Sequence, residues 1–224
     1  MKPLFEPESV VLIGSSKITE DVGMTSPELF ESIAFNLRAF DGKSFIVDVE
    51  KDDKVPEAEL GIIVLPPRDS LVYAEMLGRC RAKAIVQMTG GFTQAEREEY
   101  LRILRRHGMR LLGPNTIMGI INTANNLNTT FEKGLIPEKG CVAVISQSGG
   151  VGAMLLDLAV DNDIGISKFV FMGDKLDIGD TEILRYLSDD INTKTIAMYI
   201  EGVKNGKEFI EVLRALPLKK GLLH

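Results

Sequence analysis

Cysteine and histidine are scarce, with two of each in 224 residues. Cys80 and Cys141 lie far apart, so no disulfide framework is expected, and a reduced cytoplasmic protein is the plain reading. Neither cysteine has a histidine neighbour, and no C-x-x-C or H-E-x-x-H spacing occurs, so no metal site is expected. Cys80 reads as a helical packing residue and Cys141 as a buried strand residue. Positive charge is not in surplus either: 26 Lys and Arg stand against 32 Asp and Glu, a formal net charge of −6. Nucleic acid is therefore not an expected partner, because phosphate binding needs concentrated Lys and Arg. No apolar run reaches the roughly 18 residues of a membrane span, and the opening MKPLFEPESVV lacks the layout of a signal peptide. Internal repeats, heptads and low-complexity tracts are missing as well.

What is present is an alternation of short apolar runs with helical stretches. Val10 to Ile13 reads as a buried strand closed by Gly14. Pro27 to Phe40 carries Leu29, Phe30, Ile33, Ala34 and Leu37 at helical spacing, with Ser26 as N-cap and Pro27 at N1. Ser44 to Val49 and Gly61 to Leu65 follow as strands, the latter stopped by Pro66-Pro67. Next come a helix over Ser70 to Cys80, a strand over Ala84 to Met88, a charged amphipathic helix over Gln94 to Arg106 and a strand over Met109 to Leu112. Strands without polar alternation, separated by helices, predict a parallel sheet covered on both faces, and five of them complete a doubly wound domain. Residues 113–139, rich in Asn, Thr, Gly and Pro, read as a connector. A second series follows, with strands at Cys141 to Ile145, Lys168 to Met172 and Thr195 to Ile200. Helices are expected at Val151 to Asp161, Thr181 to Leu187 and Lys207 to Leu216. A fourth strand is approached after Leu218 but is not expected to form, leaving Ala197 to Ile200 as an edge for a partner chain. The expected domains are 1–125, a Rossmann-like unit, and 138–224, a partial flavodoxin-like parallel α/β unit.

In doubly wound sheets, ligands sit at the carboxyl ends of the strands. The first strand ends in Gly14-Ser15-Ser16-Lys17, with Gly23 ahead of the next helix. Gly14 permits a tight turn, the serines offer hydroxyl and N–H groups to a phosphate, and Lys17 offers charge beside a helix N-terminus. The loop is neither G-x-G-x-x-G nor a Walker sequence. A second loop, Ser146-Gln147-Ser148-Gly149-Gly150, also joins a strand to a helix and makes an anion cradle. Read instead as a hydrolase elbow G-x-S-x-G, it has Ser146 where the first glycine belongs. The triad would also need a histidine, and His107 sits at a helix C-terminus that suits a cation. Gly173-Asp174-Lys175 and Glu201-Gly202 end the next two strands and point their carboxylates toward the same crevice; the plainer reading of Asp174 and Glu201 is solvated loop charge.

Taken together, these segments resemble the NDP-forming acyl-CoA synthetases, relatives of the succinyl-CoA synthetase α subunit. Arg110-Leu111-Leu112-Gly113-Pro114-Asn115 with Gly119-Ile120-Ile121-Asn122 is similar to the family's hinge segment, and Val144 to Gly149 to its phosphate-binding loop. Ser167 to Val170 with Gly173 to Ile178 resembles a further family stretch, with Asp174 where the family usually has Asn. Tyr199-Ile200-Glu201-Gly202 is similar to the strand end whose glutamate helps hold the active histidine. The resemblance implies that coenzyme A binds the first domain, along Gly14, Ser15, Ser16, Lys17, Gly23, Pro66, Gly91, Phe92, Pro114 and Asn115. It also implies a phosphate cradle at Ser146, Gln147, Ser148, Gly149 and Gly150, and a Glu201 that orients a phosphohistidine. The reaction implied is acyl-CoA plus phosphate and NDP giving acid, coenzyme A and NTP, with a nucleotide-grasp β subunit or domain as partner.

The family's histidine segment has no match in these residues, so the expectation is a coenzyme A-binding portion that does not turn over alone. Asp21 replaces a small residue, and the stretch from Glu50 to Glu59 is shorter than the family norm. Two other readings are carried. One is a non-catalytic coenzyme A-binding or scaffold subunit needing a partner chain. The other is an NAD-linked oxidoreductase domain, with Asp48 or Glu50 on a ribose. The acyl group, the nucleotide and the oligomeric state are left open.

Overall fold

The computed structural model describes residues 1–17, 27–52 and 54–216, together with the backbone of 221–223. A short helix α1 (Lys2–Phe5) leads into β1 (Ser9–Gly14), then α2 (Pro27–Asn36) with a 3-10 turn at Leu37–Ala39, and β2 (Lys43–Asp48). The chain continues through β3 (Leu60–Val64), α3 (Pro67–Arg79), β4 (Ala84–Gln87), α4 (Gln94–His107) and β5 (Arg110–Leu112). These five strands pair in parallel in the order β2-β1-β3-β4-β5, so the winding reverses between β1 and β3.

Strand periodicity explains how the sheet is covered. Side chains along a strand alternate between faces, and β1 splits accordingly. Val10 and Leu12 join a core with Leu29, Phe30 and Ile33 of α2, whereas Val11 and Ile13 join one with Ala74 and Leu77 of α3 and Tyr100 and Leu104 of α4. The run is apolar throughout because both faces are dry. The expectation of full cover fails at β2. No helix occurs among the described residues between it and β3, and Phe45 and Ile46 are left 36% and 46% exposed.

Helix ends follow local chemistry. Pro66-Pro67 does not simply stop a strand, since α3 begins there with Pro66 as N-cap and Pro67 in the first turn, where a missing N–H costs nothing. Thr93 and Glu96 close a capping box on α4, and Gly108 ends it in the left-handed region. The expected Ser26 cap lies outside the described residues.

The connector reading of 113–139 is corrected: it contains β6 (Ile120–Asn122) and β7 (Leu127–Asn128). Then follow β8 (Lys139–Ser146), α5 (Gly149–Asp161), β9 (Ile166–Phe171), α6 (Asp180–Asp189), β10 (Thr195–Tyr199), α7 (Gly206–Ala215) and β11 (Gly221–Leu223). The second sheet runs β11-β10-β8-β9-β6-β7, with β6 antiparallel to both β9 and β7. A fourth parallel strand therefore does form, since β11 pairs with Thr195, Ile196 and Ala197, which reaches only the first residue of the edge expected at Ala197 to Ile200. Cys141 is exposed rather than buried, whereas Cys80 caps α3 and donates to Val55 O at 3.3 Å.

The two sheets share a core. Leu4 and Phe5 of α1 lie in one buried cluster with Ile120 of β6 and Leu184 and Leu187 of α6, and the Phe5 ring stacks on Tyr186 at 4.7 Å. Arg110 of β5 grips the second unit through both oxygens of Asp177, at 2.8 and 3.1 Å, and through Glu182 at 2.7 Å.

Candidate functional site

The winding reversal in the first sheet puts the ends of β1 and β3 side by side, the usual ligand position in this architecture. Gly14 closes β1 where an added Cβ would fall 2.3 Å from the Phe30 ring, so α2 lies against the strand only because no side chain is there. The next three residues form a turn held by carboxylates from the end of β2. Ser15 Oγ lies 3.1 Å from Glu50 Oε1, Lys17 Nζ lies 3.1 Å from Glu50 Oε2, and the Ser16 N–H donates to Asp48 Oδ1 at 3.2 Å. Lys51 Nζ sits 2.7 Å from the other oxygen of Asp48. Burial would raise the Asp48 pKa, but the Lys51 ammonium and the Ser16 and Glu50 groups outweigh it and hold the carboxyl far below the ordinary range. Gly23 and Asp21 lie outside the described residues.

The other expected residues of this crevice are placed unequally. Pro66 caps α3 at the end of β3. Gly91 is exposed with φ of 82°, while Phe92 turns its ring into the core against Tyr100, 5.6 Å between centroids. Pro114 is buried, and Asn115 is exposed in the left-handed region with its N–H on Thr89 O at 2.9 Å. Beneath them runs a fully paired polar chain: Tyr100 donates to Gln87 Oε1 at 2.9 Å, and Gln87 donates to Ser70 and Thr89. Burial pushes the Tyr100 phenol far above its ordinary pKa.

The loop after β8 is organised by its own side chains. Ser146 is buried and donates to Ser148 O at 2.7 Å, and Ser148 is the N-cap of α5, accepting from the Val151 N–H. The first-turn N–H groups of Gly149 and Gly150 have no intrahelical acceptor. An added Cβ on Gly150 would meet nothing within 4 Å, and one on Gly149 only the Phe171 ring at 3.6 Å. Packing therefore does not require these glycines, and their absence of side chains leaves room over the helix end.

Gln147 does something the sequence reading missed. Its Oε1 accepts from the N–H groups of Glu201 and Gly202 at 2.8 and 3.0 Å, while Nε2 donates to Asp180 Oδ1 at 2.7 Å and Gly202 O at 2.9 Å. Lys175 completes the clamp, donating to Asp180 Oδ2 at 3.0 Å and to Gly202 O at 2.7 Å. The amide thus fixes the strand end that carries Glu201, whose own carboxylate is exposed and makes no hydrogen bond or ion pair among the described residues. No local motif signals such a clamp, because its partners lie more than thirty residues away in sequence.

The two crevices meet. Asp174 N–H donates to Pro114 O at 2.8 Å, Leu176 N–H to Gly113 O at 2.8 Å and Ile178 N–H to Leu111 O at 3.1 Å. Gly173, with φ of 56°, would place a Cβ 2.3 Å from Pro114 O, so only glycine allows this approach. Asp174 is not a solvated loop charge; it pairs with Arg97 of α4 and accepts from Asn115 at 3.2 Å. Among the described residues, no cluster of three metal-ligating side chains occurs, and no helix is long and apolar enough to cross a membrane.

Two α/β units, one parallel and one mixed, whose strand-end loops meet through backbone hydrogen bonds between 111–114 and 174–178, define a class: two-unit doubly wound α/β proteins. Residues 139–223 match the succinyl-CoA ligase-like flavodoxin domain. The acetate–CoA ligase (ADP-forming) II α subunit of Pyrococcus furiosus is 34% identical over 98% of this chain, which covers 50% of that protein. The acetate–CoA ligase (ADP-forming) of Methanocaldococcus jannaschii is 36% identical over the full chain, which covers 32% of it. Among solved structures, the dinucleotide-forming acetyl-coenzyme A synthetase 1 of Candidatus Korarchaeum cryptofilum aligns with a TM-score of 0.83 and 29% identity, over 99% of this chain and 51% of that one. Nearly the whole chain is thus similar to a part of the ADP-forming acetate–CoA ligases. It spans half the length of the first of these relatives and about a third of the second.

Proposed function

We propose that residues 1–224 form the coenzyme A-binding and phosphate-cradling portion of an NDP-forming acyl-CoA synthetase. The observation that carries this reading is the meeting of the two strand-end crevices at 111–115 and 174–178. A ligand whose pyrophosphate rests on Gly14 to Lys17 is thereby directed, at its thiol end, toward the loop at 146–150. In this reading Pro66, Gly91, Pro114 and Asn115 line the path, and Phe92 supports the wall from beneath.

The chemistry assigned is acyl transfer from the thioester to phosphate, releasing coenzyme A, followed by transfer of the phosphoryl group to a histidine and then to NDP. Helix α5 N–H groups at Gly149 and Gly150 stabilise the phosphoryl oxygens as charge gathers there. Ser146 and Gln147 shape the loop rather than touch phosphate, and Ser148 offers its N-cap position. Glu201, held by Gln147, accepts the ring N–H of the phosphorylated histidine and fixes its tautomer. That histidine, and the nucleotide-grasp part that takes over the phosphoryl group, come from outside residues 1–224.

Calorimetric titration of the chain with coenzyme A, with NAD in parallel, tests the reading. Saturable coenzyme A binding that weakens in Lys17→Ala is expected; a preference for NAD, or no coenzyme A binding, rejects it.

A further inference from the structure

We infer that a cavity between the two units, apart from both strand-end crevices, binds a compact, uncharged, largely hydrocarbon molecule, an inference independent of the coenzyme reading above. The cavity holds about 450 Å³, within the range of small-molecule sites. Phe35 of α2 and Ala39 of the 3-10 turn form one wall, and Ile121 of β6 and Leu127 of β7 form another. Leu135 and Ile136, just ahead of β8, close a third side. Its position separates it from the phosphate cradle. Asn122 of β6 lies opposite Lys168 in the first half of β9, and Lys139, also at the cavity, is the first residue of β8. The cavity therefore lies at the amino ends of β8 and β9, whereas the loop at 146–150 follows the carboxyl end of β8.

The class of occupant follows from what the walls do not offer. The three buried amides among the lining residues are already committed to the protein. Asn36 donates to Thr130 O at 3.1 Å and Glu132 O at 3.0 Å, and its Oδ1 accepts from the Gly134 N–H at 2.9 Å. Asn128 donates to Leu135 O at 2.7 Å and accepts from the Thr130 N–H and hydroxyl at 2.9 and 2.8 Å. Asn122 donates to Phe5 O at 2.8 Å and accepts from the Ala124 N–H at 3.1 Å. A polar ligand would give up its water for walls whose amides have partners. Charge offers no other handle. In the framing segments 35–41 and 132–139, Arg38, Lys133 and Lys139 stand against Asp41, Glu132 and Glu138, an even balance, and 121–128 carries no charge. Two of those cations rest on the Phe35 ring, Lys133 Nζ at 5.0 Å and the Arg38 guanidinium at 5.4 Å from its centroid. Phe35 and Ile136 remain 40% and 65% exposed, apolar surface that a hydrocarbon occupant would cover.

The test titrates the 224-residue chain with N-phenyl-1-naphthylamine, an uncharged fluorophore, and with its 8-sulfonate, which differs only by the anionic group. The uncharged probe is expected to bind saturably at one site, and the sulfonate about tenfold more weakly because its charge must be desolvated. Thermal melts should rise with the uncharged probe, since only the folded chain joins the walls. Ala39 and Ile136 are both exposed, so changes there spare the core. Ala39→Trp fills the cavity and Ile136→Asp puts a charge in its wall; each is expected to weaken binding about tenfold. Binding unmoved by both variants, or displacement of the probe by coenzyme A, places the probe elsewhere and overturns the inference. So does a sulfonate that binds as well as the uncharged probe, or no saturable binding at all. Self-association that the probe reverses would show a second copy of the chain covering the cavity, and overturns it too. Each of these results leaves the coenzyme reading standing.

Discussion

Gly150 stands in the first turn of α5, where an added Cβ would meet nothing within 4 Å. Alanine there is favoured over glycine by backbone entropy, so Gly150→Ala is expected to raise stability by up to about 0.5–1 kcal/mol. The same methyl group would stand over the helix end, so inorganic phosphate binding, followed by phosphorus NMR, is expected to weaken. A stabilised variant with unchanged phosphate binding would remove the cradle from this loop. Asp48 gives a pH prediction. Its folded pKa is depressed, so its contribution is present above the unfolded value near 4 and is lost as pH falls below it toward the folded value. Thermal melts from pH 6 to 2 should show parent and Asp48→Asn converging in stability as acid protonates the parent. At this scale the serines, glycines and Glu201 were legible as residue types at strand ends. What they bond to was not: nothing near Ser15 or Lys17 in sequence indicates that Glu50, thirty-odd residues on, occupies both.

An element is held by more than its own pattern, and Gln147 is the case in point. Through it the β8–α5 loop, the start of α6 and the end of β10 become one body. Gln147→Ala deletes the acceptor of two backbone N–H groups, a loss of about 1–3 kcal/mol for buried groups and less for these exposed ones. Hydrogen exchange at Glu201 and Gly202 is the direct readout: both amides should lose protection while those in β8 keep theirs. The long apolar strands and charged helices were readable because periodicity and burial agree in them. β6 and β7 were not, because strands of three and two residues have no periodicity to read. They are registered by buried polar side chains: Thr129 Oγ1 takes the Ile120 N–H at 2.8 Å, and Asn122 donates to Phe5 O at 2.8 Å. Such Asn and Thr residues look the same in sequence as the turn residues of a loop.

For the molecule as a whole, the question is what keeps the two sheets in fixed relation. Arg110 is one polar tie between them, with Asp177 and Glu182 raising its already high pKa so that it is charged at every accessible pH. Asp177 also accepts from the Leu111 N–H at 2.8 Å, tying backbone to side chain across the junction. Arg110→Ala leaves both carboxylates without their cation, and a drop of about 2–3 kcal/mol is expected. If the units depend on this grip, calorimetry of the variant should resolve two transitions in place of one; a single transition shifted lower would mean the shared apolar core suffices. The doubly wound first sheet was foreseeable from five buried runs, but the way the units join was not, because Phe5 meets Tyr186, and Arg110 meets Asp177 and Glu182, across long separations in sequence.

The three peptide hydrogen bonds from 174, 176 and 178 to 114, 113 and 111 stitch the rims of the two crevices together. A rim sewn in this way is assembled during folding, so the entropy of bringing its sides together is spent before any ligand arrives. Capture is then expected to follow simple one-step kinetics, with an observed rate rising linearly in ligand concentration and no plateau from a slow closure. Stopped-flow fluorescence with a labelled coenzyme would register that slope, and a plateau would mean that the seam opens to let the ligand in.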